Sequence, residues 1–408
     1  MISKQKILST FNSFLYPVSL CLRQIMGTLV IFILARYIPV YEYGLFSSYK
    51  AIATFCLLFA NAGYNEYILI SSKGDVDIAR KKISLFLVNA IFIILLIFLS
   101  TFFYNVESRF LFFLVLIRTF FDSVFFLLVL PYFQTSKKFN IISYVNLFYG
   151  FVLTIFAIIL VFTHMSLTNF LILNIGLGLF NFLQVTCCER FNYIEVFKDL
   201  KSSFSLIDKN ILFYIGALVC SYLYGQIPAL YISLFVSKSD AALYFAASSI
   251  AAVIVMITVA QNQKVIADLI NTSIYKIKLI LKRNIFIIIS ITFSIFIFTL
   301  VLGKWILKLI YFQDYYVQAY PILLLLMLSN IFIAEAAVFG AYITASGFQR
   351  KKIIMQLEAT IIAIFVLLIL QSYKIYAAGF ATLLSSLYIA IRYTLFVLGF
   401  IRKQEQKT

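Results

Sequence analysis

Twelve long apolar runs separated by short polar stretches make up most of the chain, at 14–35, 45–70, 83–103, 110–132, 141–162, 167–187, 211–235, 241–261, 285–302, 321–343, 353–371 and 376–400. Each is near the ~20 residues that a helix needs to cross ~30 Å of hydrocarbon, whereas a barrel strand would be about ten residues of alternating polarity. Hydrocarbon satisfies no backbone N–H or C=O, so runs of this length must be helices. The pattern predicts an all-α polytopic membrane protein of about twelve transmembrane helices. The first run is read as an uncleaved helix, because Arg23 interrupts it and no small-residue cleavage site follows.

The polar stretches are too short to be domains. The longest, Glu189 to Asn210 and Asn262 to Asn284, are expected to form interfacial helices. In the first, Phe191, Tyr193, Ile194, Val196 and Phe197 interleave with Glu195, Lys198 and Lys201, a pattern that fits an amphipathic segment on a bilayer or a linker between halves. The expected organisation is an N-terminal six-helix bundle over 1–190, a cytoplasmic linker over 191–210 and a C-terminal six-helix bundle over 211–408. A weak repeat supports it. YEYGLFSSYKAI at 41–52 resembles SDAALYFAASSI at 239–250, and QTSKKFNIISYVN at 134–146 matches the place of TASGFQRKKIIMQ at 344–356. Both pairs lie six helices apart, so the two bundles are expected to be parallel and pseudo-symmetric, with a substrate path in a central cavity.

Charge orients the spans. Alternate segments carry 23 and six of the 33 basic residues, and the remaining four lie within spans. The positive-inside rule therefore puts both tails in the cytoplasm, together with the loops bearing Arg80, Lys81, Lys82 and Arg350, Lys351, Lys352. The net charge of +17 is read as topological, meeting anionic headgroups, and nucleic acid is not an expected partner. Cys21, Cys56, Cys187, Cys188 and Cys220 lie in or at the ends of apolar runs without metal-ligand spacing and are read as small core residues. No metal or cofactor is expected.

Ionisable residues inside apolar spans cost at least ~2.5 kcal/mol at a helix centre, so each must face a partner or water. Arg23 lies about 14 Å inside its span, too deep to snorkel, and should face the interior. Lys50 enters by roughly 8 Å, where snorkelling and a cavity role are both open. Arg118 has Asp122 one turn later, which fits an internal ion pair or a ligand site. Arg392 has no acid one turn away on its own helix, and Glu335 or Glu358 could be its partner. Asp122, Glu335 and Glu358 are thus candidates for ion coupling or structural pairing, and Glu66 lies near a span end. The mid-membrane balance is positive, which favours an anionic cargo such as a phosphate or pyrophosphate. Pro17 and Pro228 interrupt their helices and mark either static kinks or points of bending.

Catalytic signatures are missing: there is no Walker A sequence, HExxH or GxSxG, so no catalytic residues are assigned and an enzyme is not expected. Short outer loops oppose a polysaccharide polymerase or glycosyltransferase. A cation-coupled multidrug exporter remains an alternative, though it would favour acidic residues in the cavity.

The motifs ARYIPVYEYGLF at 35–46, FANAGYNEYIL at 59–69, PYFQTSKKF at 131–139, SKSDAALYFAAS at 237–248 and GFQRKKIIMQLEA at 347–359 occur in this order over most of the chain. In this order they resemble the Wzx-type O-antigen flippases, in the polysaccharide transporter branch of the MOP (multidrug/oligosaccharidyl-lipid/polysaccharide) superfamily. The resemblance implies two six-helix bundles around a central cavity in the bacterial inner membrane. It also implies flipping of undecaprenyl-diphosphate-linked O-antigen or related repeat units by alternating access. In that family and the related lipid II flippases basic residues line the cavity, and Arg23 and Lys50 occupy similar places; Arg118 and Arg392 extend the set by charge and depth. A proton or sodium ion could drive the exchange, and other membrane proteins of polysaccharide assembly could be partners.

Overall fold

The computed structural model describes residues 4–61, 107–121, 139–189, 211–269 and 274–406, with a few single positions between 75 and 97. The described secondary structure is helical: α1 Lys4–Tyr37, α2 Val40–Asn61, α3 Arg109–Thr119, α4 Phe139–Thr163, α5 Leu167–Glu189, α6 Ile211–Phe235, α7 Lys238–Leu269, α8 Ile274–Tyr311, α9 Tyr320–Ala345, α10 Gln349–Ile369 and α11 Ile375–Glu405. Short 3-10 turns, Asp314–Ala319 and Gln371–Tyr373, lead into α9 and α11. The chain divides into two compact units, one of Met1–Ile38 and Tyr49–Val219, the other of Pro39–Ser48 and Cys220–Thr408. The expected linker, 191–210, the expected helix over 83–103 and Glu66 lie outside the described residues, apart from single helical positions within 83–103.

In the first unit α1 runs along α4, α4 packs on α5, and α5 packs on α3. The faces follow helical spacing. Ile142, Val145, Asn146, Tyr149 and Leu153 of α4 are buried, while Tyr144, Phe148 and Phe151 on its other side are exposed, as expected of a helix with one face to protein and one to lipid. Ser108 caps α3, its hydroxyl accepting from the Leu111 N–H at 3.3 Å, and its own N–H donates to the Tyr49 hydroxyl at 3.1 Å. The Tyr49 ring then meets Phe112 edge-on at 5.3 Å, which ties the second half of α2 to α3.

The second unit is built around α9, which packs on α7, α8 and α11, while α10 packs on α11. The most apolar stretch of α9 is 61% buried against 17% for that of α8, so α9 is the central helix and α8 a peripheral one. Asn330 of α9 donates to the Ala251 carbonyl of α7 at 2.8 Å, and Tyr311 at the end of α8 donates to the Ala246 carbonyl at 2.8 Å. Tyr43, from the first turn of α2, is fully buried here and meets Tyr316 edge-on. The two repeat segments of the sequence, 41–52 and 239–250, both lie in the opening turns of helices, α2 and α7. Gly44 brings the first against the start of α7: a Cβ there would overlap the Lys238 carbonyl, just before the second segment, and come within 3.2 Å of the Ala242 nitrogen inside it.

One expectation is corrected. The stretch Asn262 to Asn284 is no separate interfacial helix; α7 continues to Leu269 and α8 begins at Ile274. Gln, Lys and Arg are good helix formers, so the backbone ladder runs on past the point where hydropathy falls. Pro228 lies inside α6, and α1 runs through position 17.

Candidate functional site

A notch on α4 seats Arg23. A Cβ on Gly150 would come within 2.7 Å of the Met26 sulfur, the movable end of that side chain, and within 3.4 Å of the Arg23 Cα, so α1 lies close against α4 at this glycine. Asn146 stands one turn before Gly150 on the same face, and Tyr149 lies one turn after Asn146, next to the glycine. Arg23 Nη1 donates to Asn146 Oδ1 at 3.1 Å, and its guanidinium carbon sits 4.7 Å from the centre of the Tyr149 ring. Both groups are neutral. They fix the plane of the guanidinium and attract it.

The second unit holds another arginine differently. Arg392 of α11 forks onto Glu358 of α10, with Nε at 3.1 Å from Oε2 and Nη2 at 3.3 Å from Oε1. The Tyr388 hydroxyl donates to the same Oε2 at 2.7 Å, and Arg392 lies 6.0 Å from that tyrosine ring. The side chains remain 44% and 34% exposed, so this ion pair faces a space that must hold water rather than lipid tails. On α9, Glu335 accepts from the Thr394 hydroxyl of α11, two residues beyond Arg392, at 3.0 Å. Of the two acids that could meet Arg392, Glu358 is therefore the one that does.

The other candidates lie in the first unit. Arg118 is 7% exposed on α3 and Lys50 is half-buried on α2, while Asp122 lies outside the described residues. Two polar residues were not singled out by charge. Asn174 and Asn181 of α5 are each 1% exposed, two turns apart on one face, and their amides find no hydrogen-bond partner among the described residues. Between them Gly178 receives Phe121, with a Cβ there only 2.7 Å from that of Phe121. Spacing could have revealed them, since Asn174, Gly178 and Asn181 form a polar stripe at steps of four and three in an apolar run, as do Ser143, Asn146, Gly150 and Thr154 in α4.

No family model matches the chain, and no curated protein matches it in sequence. Solved structures do match in shape. The lipid II flippase MurJ in an inward closed conformation has a TM-score of 0.72 at 14% identity, over 95% of this chain and 87% of that one. An inward-facing multidrug resistance MATE family transporter of the MOP superfamily has a TM-score of 0.70 at 13% identity, over 94% and 96%. A MOP superfamily transporter from Pyrococcus furiosus Vc1 (DSM3638), described by a binding pocket of reversed polarity that suggests a different function, has a TM-score of 0.61 at 12% identity, over 96% and 94%. Identities this low speak for the fold alone. This chain is a multi-pass membrane protein with the all-α fold, about twelve spanning helices, of the MOP superfamily transporters.

Proposed function

We propose that this chain is a flippase that carries undecaprenyl-diphosphate-linked O-antigen or related polysaccharide repeat units from the cytoplasmic to the periplasmic face of the bacterial inner membrane. The observation that carries the reading is Arg23, held deep in α1 between a carboxamide and an aromatic ring. A planar guanidinium fixed in this way matches two oxygens of a phosphate, and a diphosphate offers the charge that such a site attracts. Lys50 and Arg118 supply further positive charge, and Arg392 joins them only when its ion pair with Glu358 opens. The glycan occupies wet space and the polyprenyl tail stays in lipid. The cargo moves because it binds two arrangements of the protein with different strength. Resemblance in fold to a lipid II flippase supports this substrate class, and the reversed pocket polarity described for the Pyrococcus furiosus transporter supports reading cargo from cavity charge.

A second reading, a cation-coupled exporter of small molecules, draws on Glu335 and Glu358 and on the MATE likeness. The two separate in cells that lack the protein. A flippase leaves surface glycan absent and lipid-linked repeat units accumulated on the cytoplasmic face, and wild type but not Arg23→Ala restores glycan at matched expression. Glycan that persists in the deletion, with loss of dye or drug efflux, would establish the exporter instead.

A further inference from the structure

At 38 residues, α8 is about 57 Å long, far more than ~30 Å of hydrocarbon requires. Its apolar run starts only after Lys278, Lys282 and Arg283, all exposed, which sets these three cations at the level of lipid headgroups. Immediately below them a groove of about 800 Å³ opens between α8, α9 and α11. Its floor includes Phe339 and Ile401, each under 5% exposed, and its walls include Ile285, Phe286, Ile289 and Leu398. From Lys278 to Ser290, the last residue of α8 in the groove, the helix rises about 18 Å, the depth of one leaflet.

We infer that this groove is a seat for one anionic phospholipid of the bilayer, its headgroup on Lys278, Lys282 and Arg283 and an acyl chain along Ile285, Phe286, Ile289 and Phe339. Two features set it apart from ordinary lipid-facing surface. The face is concave with a buried floor, and three cations within six residues stand at one end of it, where an anionic headgroup meets them as its chain enters the groove. Zwitterionic lipid gains the same apolar contacts but not the charge. The seat belongs to the second unit alone and does not depend on the nature of the cargo.

The chain has a single tryptophan, Trp305, which allows a local reporter. Phe286→Trp in a Trp305→Phe background places an indole in the groove wall of the full chain, reconstituted in phosphatidylcholine vesicles with increasing brominated phosphatidylglycerol. Quenching is expected to saturate at a low mole fraction, with phosphatidylglycerol preferred over brominated phosphatidylcholine on the order of a hundredfold from three surface charges. Lys278→Gln with Lys282→Gln and Arg283→Gln should abolish the preference, and Lys282→Gln alone should lower it severalfold. Arg402→Gln with Lys403→Gln, at the same end of α11 but outside the groove, should leave it unchanged. Quenching that rises linearly with mole fraction, or equal loss in the Arg402 and Lys403 variant, would show diffuse exchange at a charged surface and overturn the seat. Relief of quenching by undecaprenyl phosphate at lower concentration than by unlabelled phosphatidylglycerol would assign the groove to the carrier lipid and also overturn it.

Discussion

Arg23 and Arg392 are posed alike but donate to different kinds of acceptor. Each lies well inside a spanning helix, has a tyrosine ring within 6.0 Å and donates to an oxygen on an adjoining helix. In the first unit the oxygen belongs to Asn146, and in the second to Glu358. Exchanging a carboxamide for a carboxylate changes what the seat can do. A neutral acceptor orients a cation and leaves its field to act on a third partner, whereas a carboxylate absorbs that field. Depth in the membrane therefore does not by itself make an arginine a ligand for an anion; the chemistry of its acceptor decides. On this comparison Arg23 donates to a group that carries no charge of its own, and Arg392 with Glu358 is an ion pair that a cargo or a coupling ion would first have to open.

The sharpest way to break the comparison is to make the first seat like the second. Asn146→Asp should reduce transport of lipid-linked oligosaccharide into proteoliposomes at least tenfold, because a new carboxylate competes for the guanidinium with charge-assisted bonds of about 1.5–3 kcal/mol. Its melting temperature should not fall, whereas loss of transport through misfolding would lower it. The reciprocal change is smaller. Arg392→Ala leaves Glu358 with the Tyr388 hydroxyl alone and should lower stability by about 1 kcal/mol, a modest figure because the pair is part-exposed. Arg392→Ala with Glu358→Ala should recover part of that loss, and a strictly additive double variant in thermal unfolding would show that the pair contributes nothing.

The spans were legible because membrane crossing leaves a length and polarity signal that tertiary packing cannot hide; 211–235 coincides with α6, and 321–343 lies within two residues of α9 at each end. Where the reading fell short, as at Asn262 to Asn284, hydropathy marked the edge of the hydrocarbon, not the edge of the helix. The charged candidates were legible for the same energetic reason, since an arginine in an apolar run stands out. Their partners were not. Glu358 is 34 residues from Arg392, and only the packing of α10 on α11 selects it over Glu335. Asn146 and Tyr149 carry no charge, and nothing short of the fold reveals that Gly150 beside them is a notch for α1.

The aromatic contacts test the comparison more finely. Tyr149→Leu should weaken transport about fivefold through loss of roughly 1 kcal/mol of cation–π attraction, while Tyr149→Phe keeps the ring and should leave it within twofold of wild type. Tyr388→Phe in the second unit should not change transport, because Glu358 still neutralises Arg392.

The smallest effects come from the glycines that bring the helices together. In the first unit a methyl on Gly150 would press on the end of the Met26 side chain at 2.7 Å, a group that can swing away, while the Arg23 Cα at 3.4 Å is in ordinary contact. In the second, a methyl on Gly340 would meet the Tyr393 ring at 3.1 Å, next to Arg392, and a ring 3% exposed has little room to turn. Gly150→Ala should therefore cost less than about 1 kcal/mol of stability and, by pushing the Met26 side chain aside next to Arg23, lower transport no more than two- to threefold. Gly340→Ala should show the opposite balance, a larger fall in melting temperature with transport per folded molecule unchanged. Equal transport losses at the two positions would mean that both arginines are engaged by cargo and that Glu358 does not neutralise Arg392 when it matters.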